Sequence, residues 1–440
     1  MYYDYVIIGM GPCGISTAMS LMNTGLKILI IESESLFGGC WKHQYESDVY
    51  FTEHSPKVLF SSGNHEFKKL LNKINVKPIY RNVYMNKIYV ILSIIFNVVL
   101  GFSFLDYVAF FTLFIRRVFM RQKRSNQTVD EWMHSKHVTQ TAMSFINMLC
   151  IVINGTRSNQ VKMDNFVDFL GHPMHRFGSI VQMESPNEWI EKATAILSSH
   201  PNIDIKTDRV TQIVSNENRV LRLLTTTGSV VKGGEFVFCI PLKNMMSIVS
   251  SSSNVVQTNW FVSPIEMQAY VDKSTYMGIG IQFHFDKRID KRRMWCWSCS
   301  SEWSIIVIDK TLTIGDLGLD SDIKTVWSCV VCDFNAKNKF GKSINDYEYT
   351  YDIKKEVLRQ LSGEYGEKLN PKHVSIHSNI TKTNDGWVSH ESSFTNTVGS
   401  LPARGKLINL YSVGPHNMDE IVVIDTALKS ANMFVSSLKL

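Results

Sequence analysis

The sequence predicts an α/β protein built on a Rossmann-like dinucleotide-binding domain that is interrupted by an inserted α+β domain. Three observations predict it. Residues 1–35, MYYDYVIIGMGPCGISTAMSLMNTGLKILIIESES, read as strand, glycine turn, helix and strand. A run of β elements lies between Asn202 and Pro241, and a strand, a glycine and a helix follow from Leu407.

Tyr5 to Ile8 is a short apolar run of the kind a strand buried on both faces needs. Ile15, Ala18, Met19 and Met22 then recur at helical spacing, with Gly25 placed to end that helix. Lys27 to Ile31 reads as the second strand and closes at Glu32. In this context Gly9 permits a tight turn, Gly11 lets the backbone approach a pyrophosphate, and Gly14 lets the helix pack against the strand. The turn through Pro12 and Cys13 opens the helix, whose free N–H groups and dipole favour phosphate. Glu32, with Ser33 beside it, is placed to hold the adenosine ribose, and its charge repels a 2′-phosphate.

SESLFGGCWKHQ follows, with paired glycines at 38 and 39. Here the chain resembles the FAD-dependent amine oxidase and phytoene desaturase superfamily, in which a Gly-Gly runs under the cofactor. The resemblance implies FAD as cofactor and adds Gly39, Cys40, Trp41 and Lys42 to the residues that hold it. The family commonly has an arginine directly after the glycines. Here Lys42 is the nearest cation, and it lacks arginine's bidentate fork.

Formal charge is +6 over 440 residues, too mild to suggest nucleic acid as a partner. The first strand begins almost at once, so a cleavable signal peptide is not expected, and the eight cysteines read as reduced thiols of a cytoplasmic protein. Two Cys-x-x-Cys pairs, Cys296 with Cys299 and Cys329 with Cys332, lie in Trp- and Val-rich strand-like runs. Residues i and i+3 of a strand face opposite ways, which argues against one metal per pair.

Residues 88–105 are apolar enough to suggest a membrane span, and Arg116, Arg117, Arg121, Lys123 and Arg124 follow. A single crossing there would separate the two ends of one domain. Buried helices are therefore the preferred reading, and peripheral membrane contact through 88–124 is the alternative. TVDEWMHSKHVTQTAMSFINMLCIVI, from Thr128, reads as helical, with Thr128 and Glu131 forming a capping box.

Between Asn202 and Pro241 come a strand, a hairpin turning at Ser215 to Asn218, a turn at Gly228, and a buried strand from Glu235 to Ile240. The family interrupts its FAD domain in this way and contacts adenine through a backbone group, a role that falls on Val210. YMGIGIQFHFD alternates as a strand from Tyr276. Amine oxidases commonly place a lysine on this strand beside flavin N5. Gln282 stands at or next to that register, which puts fast reaction with oxygen in doubt.

In INLYSVGPHNMDEIVVIDTALKSANMFVSSL, Leu407 to Val413 reads as a strand, Gly414 as a tight turn, and Asp425 to Leu438 as a helix. The family ends likewise, with the helix N-terminus facing the flavin's pyrimidine edge, where reduced flavin carries negative charge. Pro415 and Thr426 depart from its usual residues. After Cys332 there is no cysteine, so a cysteinyl flavin is excluded, while His416 leaves a histidyl link open. Trp387 lies where relatives line the flavin face, although a packed core residue is the simpler reading.

The resemblance thus implies a Rossmann-like FAD-binding domain from 1–68, 188–250 and 378–440, with an α+β substrate domain from 69–187 and 251–377. It implies an oxidoreductase that moves hydride from an amine or allylic C–H to flavin N5, with a small-molecule substrate and with Gln282, Trp387 and His416 as catalytic candidates. The alternatives are a redox-neutral flavoenzyme resembling UDP-galactopyranose mutase or a flavin-dependent isomerase, and a non-catalytic flavin-binding scaffold. A flavin monooxygenase, suggested by Gly-Gly-Cys-Trp, is set aside because a second glycine fingerprint is missing.

Overall fold

A computed structural model describes residues 1–47, 49–60, 63–82, 101–119, 127–170, 179–276, 278–289, 296–298, 302–312, 322–389, 393–394, 400–418, 420 and 422–438. Residues 88–100, 120–124 and Cys299, on which parts of the sequence reading fall, lie outside them.

Seven strands form the central sheet: β1 (Tyr2–Ile8), β2 (Ile28–Glu32), β3 (Ile203–Thr207), β4 (Val210–Ser215), β5 (Val220–Thr225), β6 (Val230–Phe238) and β7 (Leu410–Ser412). Their order is β3-β2-β1-β6-β5-β4, and β7 pairs with the far half of β6. β1 is parallel to both neighbours, with Ile8 opposite Ile31 on one side and Phe238 on the other. β4 to β6 form the antiparallel meander read from the turns.

Alternation along β1 explains the layers. Tyr5 and Ile7 face a core shared with helices α1 (Pro12–Leu21), α2 (His65–Lys73), a helix over Glu188–Ser198, and the last helix, Ile424–Ser437. Val6 and Ile8 face a second core with Leu223, Phe238 and the helix Leu242–Ser250. Gly25, at φ +79°, ends the first helical segment as the sequence indicates.

A separate five-stranded antiparallel sheet takes its strands in the order 296–298, 306–309, 325–331, 279–285, 373–376. It closes a core around Phe283, Trp303, Trp327 and Trp387. Helix α3 (Phe104–Phe119) packs with Val129–Ser135 and Gln140–Asn154 in another core. The Thr128–Glu131 capping box forms, with Thr128 N donating to Glu131 Oε2 at 2.9 Å and Glu131 N to Thr128 Oγ1 at 3.1 Å. The helical run from Thr128 is nonetheless two helices. His137 takes φ +53° and Val138 turns inward, and Thr139 starts the next helix by accepting from Ala142 N.

Candidate functional site

β1 delivers the chain into the turn at Gly9, which sits at φ +99°, a conformation that only glycine adopts cheaply. A Cβ on Gly14 would lie 1.9 Å from Gly9 O, so any side chain there pushes α1 off the sheet. Gly11 caps α1 in an extended conformation and Pro12 takes the first helical position, where its missing N–H costs nothing. Cys13 Sγ donates to Val413 O at 3.0 Å, which ties the start of α1 to the end of β7. The second glycine turn lies directly on the first. Gly38 N donates to Met10 O at 2.9 Å, and a Cβ on Gly39 would come within 3.2 Å of Gly11 Cα.

Glu32 ends β2 with its carboxylate held from two sides. Oε2 accepts from Met10 N at 2.7 Å, while Oε1 accepts from Ser33 Oγ and Glu34 N, both at 3.1 Å. Oε1 is thereby filled, and Oε2 keeps capacity for a further donor. Gly9, Glu32, Ser33 and Val210 line one cavity of about 230 Å³, with Ile8, Ile31 and Ile248 as apolar walls and Arg209, Asn244 and Ser247 at the polar side. Val210 reaches it because Asp208 fixes the bend before β4, accepting from Thr226 Oγ1 at 3.0 Å and Thr227 Oγ1 at 2.6 Å. Apolar walls, a carboxylate and a glycine cradle fit the adenosine diphosphate part of a dinucleotide.

The remaining sequence-derived residues are placed less simply. Gly39, Cys40 and Trp41 form one 3₁₀ turn. Trp41 packs on the first core, with Lys57 Nζ 5.9 Å from its ring centroid, and Cys40 is a partly exposed thiol. Lys42 is buried and ion-paired with Glu34, so the charge expected at a pyrophosphate is already matched within the chain. Gly414 is not a tight turn. It is extended, at φ 174°, and glycine is needed there because a Cβ would lie 2.7 Å from His416 Cε1. His416, in the following 3₁₀ turn, is buried with Nε2 2.6 Å from Ser412 Oγ. Burial pushes its imidazole down to about 3, so it is neutral near pH 7. The last helix begins at Ile424, and Asp425 in its first turn accepts from Phe67 N at 2.9 Å. The carboxylate thereby serves the N-terminus of α2 as well as its own helix.

Gln282 is fully buried on the strand Ile279–Phe285. Its Oε1 accepts from Thr52 Oγ1 at 2.8 Å, and its Nε2 donates to Glu53 O and Ser328 Oγ, both at 3.1 Å. Gly280 makes this approach possible, since a Cβ there would lie 2.1 Å from Glu53 O. Trp387 is in the second sheet's core, its Nε1 donating to Tyr347 O at 2.9 Å.

Behind Gln282 lies a cluster that the sequence does not announce. Lys310 Nζ sits 3.1 Å from Glu53 Oε1, and His43 Nε2 is 3.1 Å from Glu53 Oε2, all three side chains being buried. Burial opposes the Glu53 charge, but Lys310 and His43 outweigh it and hold the carboxyl low, at about 2. Burial also lowers the His43 and Lys310 values, against the pull of Glu53. No local signal marks this trio, because Lys310 comes from a segment 257 residues beyond Glu53.

These features define a Rossmann-like dinucleotide-binding fold joined to a second, antiparallel-sheet unit. A family model described as NAD(P)-binding Rossmann-like domain matches residues 7–74. The whole chain is similar in structure to three oxidoreductases. One is an oxidoreductase from Methanosarcina mazei (12% identity, 99% of this chain and 100% of that one, TM-score 0.66). Another is cyclohexylamine oxidase from Brevibacterium oxydans IH-35A (10% identity, 100% of both chains, TM-score 0.67). The third is putrescine oxidase bound to putrescine (11% identity, 99% of this chain and 98% of that one, TM-score 0.63). No curated protein matches by sequence. The chain therefore has the fold of these amine oxidases over its full length.

Proposed function

We propose that the protein is an FAD-dependent oxidoreductase that takes hydride from an amine or an allylic C–H of a small-molecule substrate onto flavin N5. The carrying observation is the convergence of Gly9, Glu32, Ser33 and Val210 on one cavity, in a chain that shares the amine-oxidase fold end to end. When bound, FAD supplies the hydride acceptor and the site for the two electrons.

The chain's own residues bind and orient. The Gly9–Gly14 turn, through Pro12 and Cys13, offers backbone N–H groups to the diphosphate, with Gly39, Cys40 and Trp41 beneath it. Glu32 accepts from the ribose, with Ser33 fixing its second oxygen. Val210 holds the adenine from β4. Gly414 and the N-terminus of the last helix would hold the flavin ring, where a helix dipole would favour the charge of the reduced state. Gln282, clamped from three sides, spends both Nε2 hydrogens within the chain, so its role is to hold Thr52, Glu53 and Ser328 in place. His416, kept neutral, can hold a hydrogen bond without adding charge. This reading divides the chain into FAD-binding segments 1–68, 188–250 and 378–440 around substrate-binding segments 69–187 and 251–377, in a cytoplasmic protein.

The test is an anaerobic screen of the purified protein, loaded with FAD, against amines, polyprenyl compounds and sugar nucleotides. Bleaching of the flavin band by an amine or a polyene supports the proposal. Turnover of a sugar nucleotide only after prior reduction identifies a redox-neutral enzyme instead. Flavin binding with no response to any class identifies a scaffold.

A further inference from the structure

Lys42 closes the second glycine turn, and its charge is held inside the chain. Its N donates to Gly39 O at 3.2 Å, in the 3₁₀ turn that lies against Gly11. The side chain is 3% exposed, and its ammonium is ion-paired with Glu34 Oε2. Glu34 is 44% exposed and stands two residues beyond Glu32, its N donating to Glu32 Oε1 at 3.1 Å. The pair therefore runs from the Glu32 end of the cavity to the turn that touches the first glycine loop.

The position of Glu34 sets up a competition. A dinucleotide's diphosphate brings two negative charges to the Gly9–Gly14 turn, where α1 offers N–H groups and a dipole equivalent to about half a charge. Lys42 would add a full charge from the second turn. Glu34, however, is tethered eight residues away and reaches the ammonium with no loss of translational freedom, which a free ligand must give up. Its half-exposed carboxylate also keeps much of its hydration while paired. It is a counter-anion already in place before any cofactor arrives, and its own charge repels incoming phosphates.

Resting on the flavin reading above, we infer that Glu34 is an affinity-setting residue of the cofactor site. Its carboxylate competes with the FAD diphosphate for Lys42 and keeps the cofactor bound more weakly than the same cradle would hold it without that charge.

Fluorescence titration of the flavin-free full chain with FAD tests it. At low salt Glu34→Gln is expected to bind FAD about fivefold more tightly than the parent, with unchanged circular dichroism, and the gain is expected to fade at about 1 M salt. Adding Lys42→Met should return the affinity to near the parent's, because the gain runs through Lys42. Glu367→Gln makes the same charge change at an exposed position of the five-stranded unit and should leave the affinity unmoved. A parent that binds FAD while Glu34→Gln binds it no more tightly overturns the inference alone. So does an equal gain in Glu367→Gln, or a double variant that stays tight. A parent that takes up no FAD overturns the flavin reading and this inference with it.

Discussion

Lys310 Nζ and Glu53 Oε1 lie 3.1 Å apart with both side chains sealed from solvent, joining the five-stranded sheet to the segment just after the paired glycines. A buried pair of this kind is costly to break from one side, because the survivor keeps its charge without its partner. Lys310→Met is expected to cost about 3–5 kcal/mol in denaturant unfolding. Adding Glu53→Gln should recover much of that loss. A single substitution costing under about 1 kcal/mol would refute a buried ionised pair.

Glu32→Gln keeps an acceptor for Met10 N but removes the carboxylate at the cavity wall. Hydrogen bonds to charged groups are worth about 1.5–3 kcal/mol, so flavin affinity should fall roughly ten- to a hundredfold, and the flavin-free protein should melt lower as well, because the amide can no longer accept from both Met10 N and Glu34 N. Flavin fluorescence titration reads the first quantity and calorimetry the second. Unchanged affinity would remove Glu32 from the site.

Acid should unfold the protein through its buried histidines. Burial holds His416 down to about 3 and, with His373, His284 down to about 4, against an ordinary value of 6.5. Between those values the unfolded chain binds protons that the native state refuses, so stability is full above pH 6.5 and is lost as pH falls through that window. At pH 5 each histidine accounts for about 2 kcal/mol of the loss relative to pH 8. His416→Gln should reduce the loss of unfolding free energy between pH 8 and pH 5 by that amount, and an unaltered loss would contradict a buried neutral imidazole.

Asp425 links the last helix to α2 through Phe67 N. Asp425→Ala leaves that N–H without its carboxylate, at a cost of about 1 kcal/mol. Hydrogen exchange should show the first turn of α2 opening before the central sheet. Protection equal to the parent's would show that the contact is not formed in solution.

What could be read from the chain is what short-range geometry governs. Gly14 is fixed by the crossing of a strand and the helix that follows it, Gly9 by the positive φ of the turn between them, Gly25 by the end of that helix, and Thr128 with Glu131 by two bonds within one turn. Each depends on residues a few positions apart, so composition and spacing suffice.

The tertiary structure decided the rest, for the complementary reason that its partners meet only through sheet register and helix packing. Gln282 acquires Ser328 because the strands pair at that register, and Glu53 acquires Lys310 from a segment 257 residues away. Gly414 is glycine because the ring of His416 folds back over it, and Asp425 finds α2 because the first and last helices share one face of the sheet. A lone side chain carries no mark of a partner that distant in sequence, and only the folded chain supplies it.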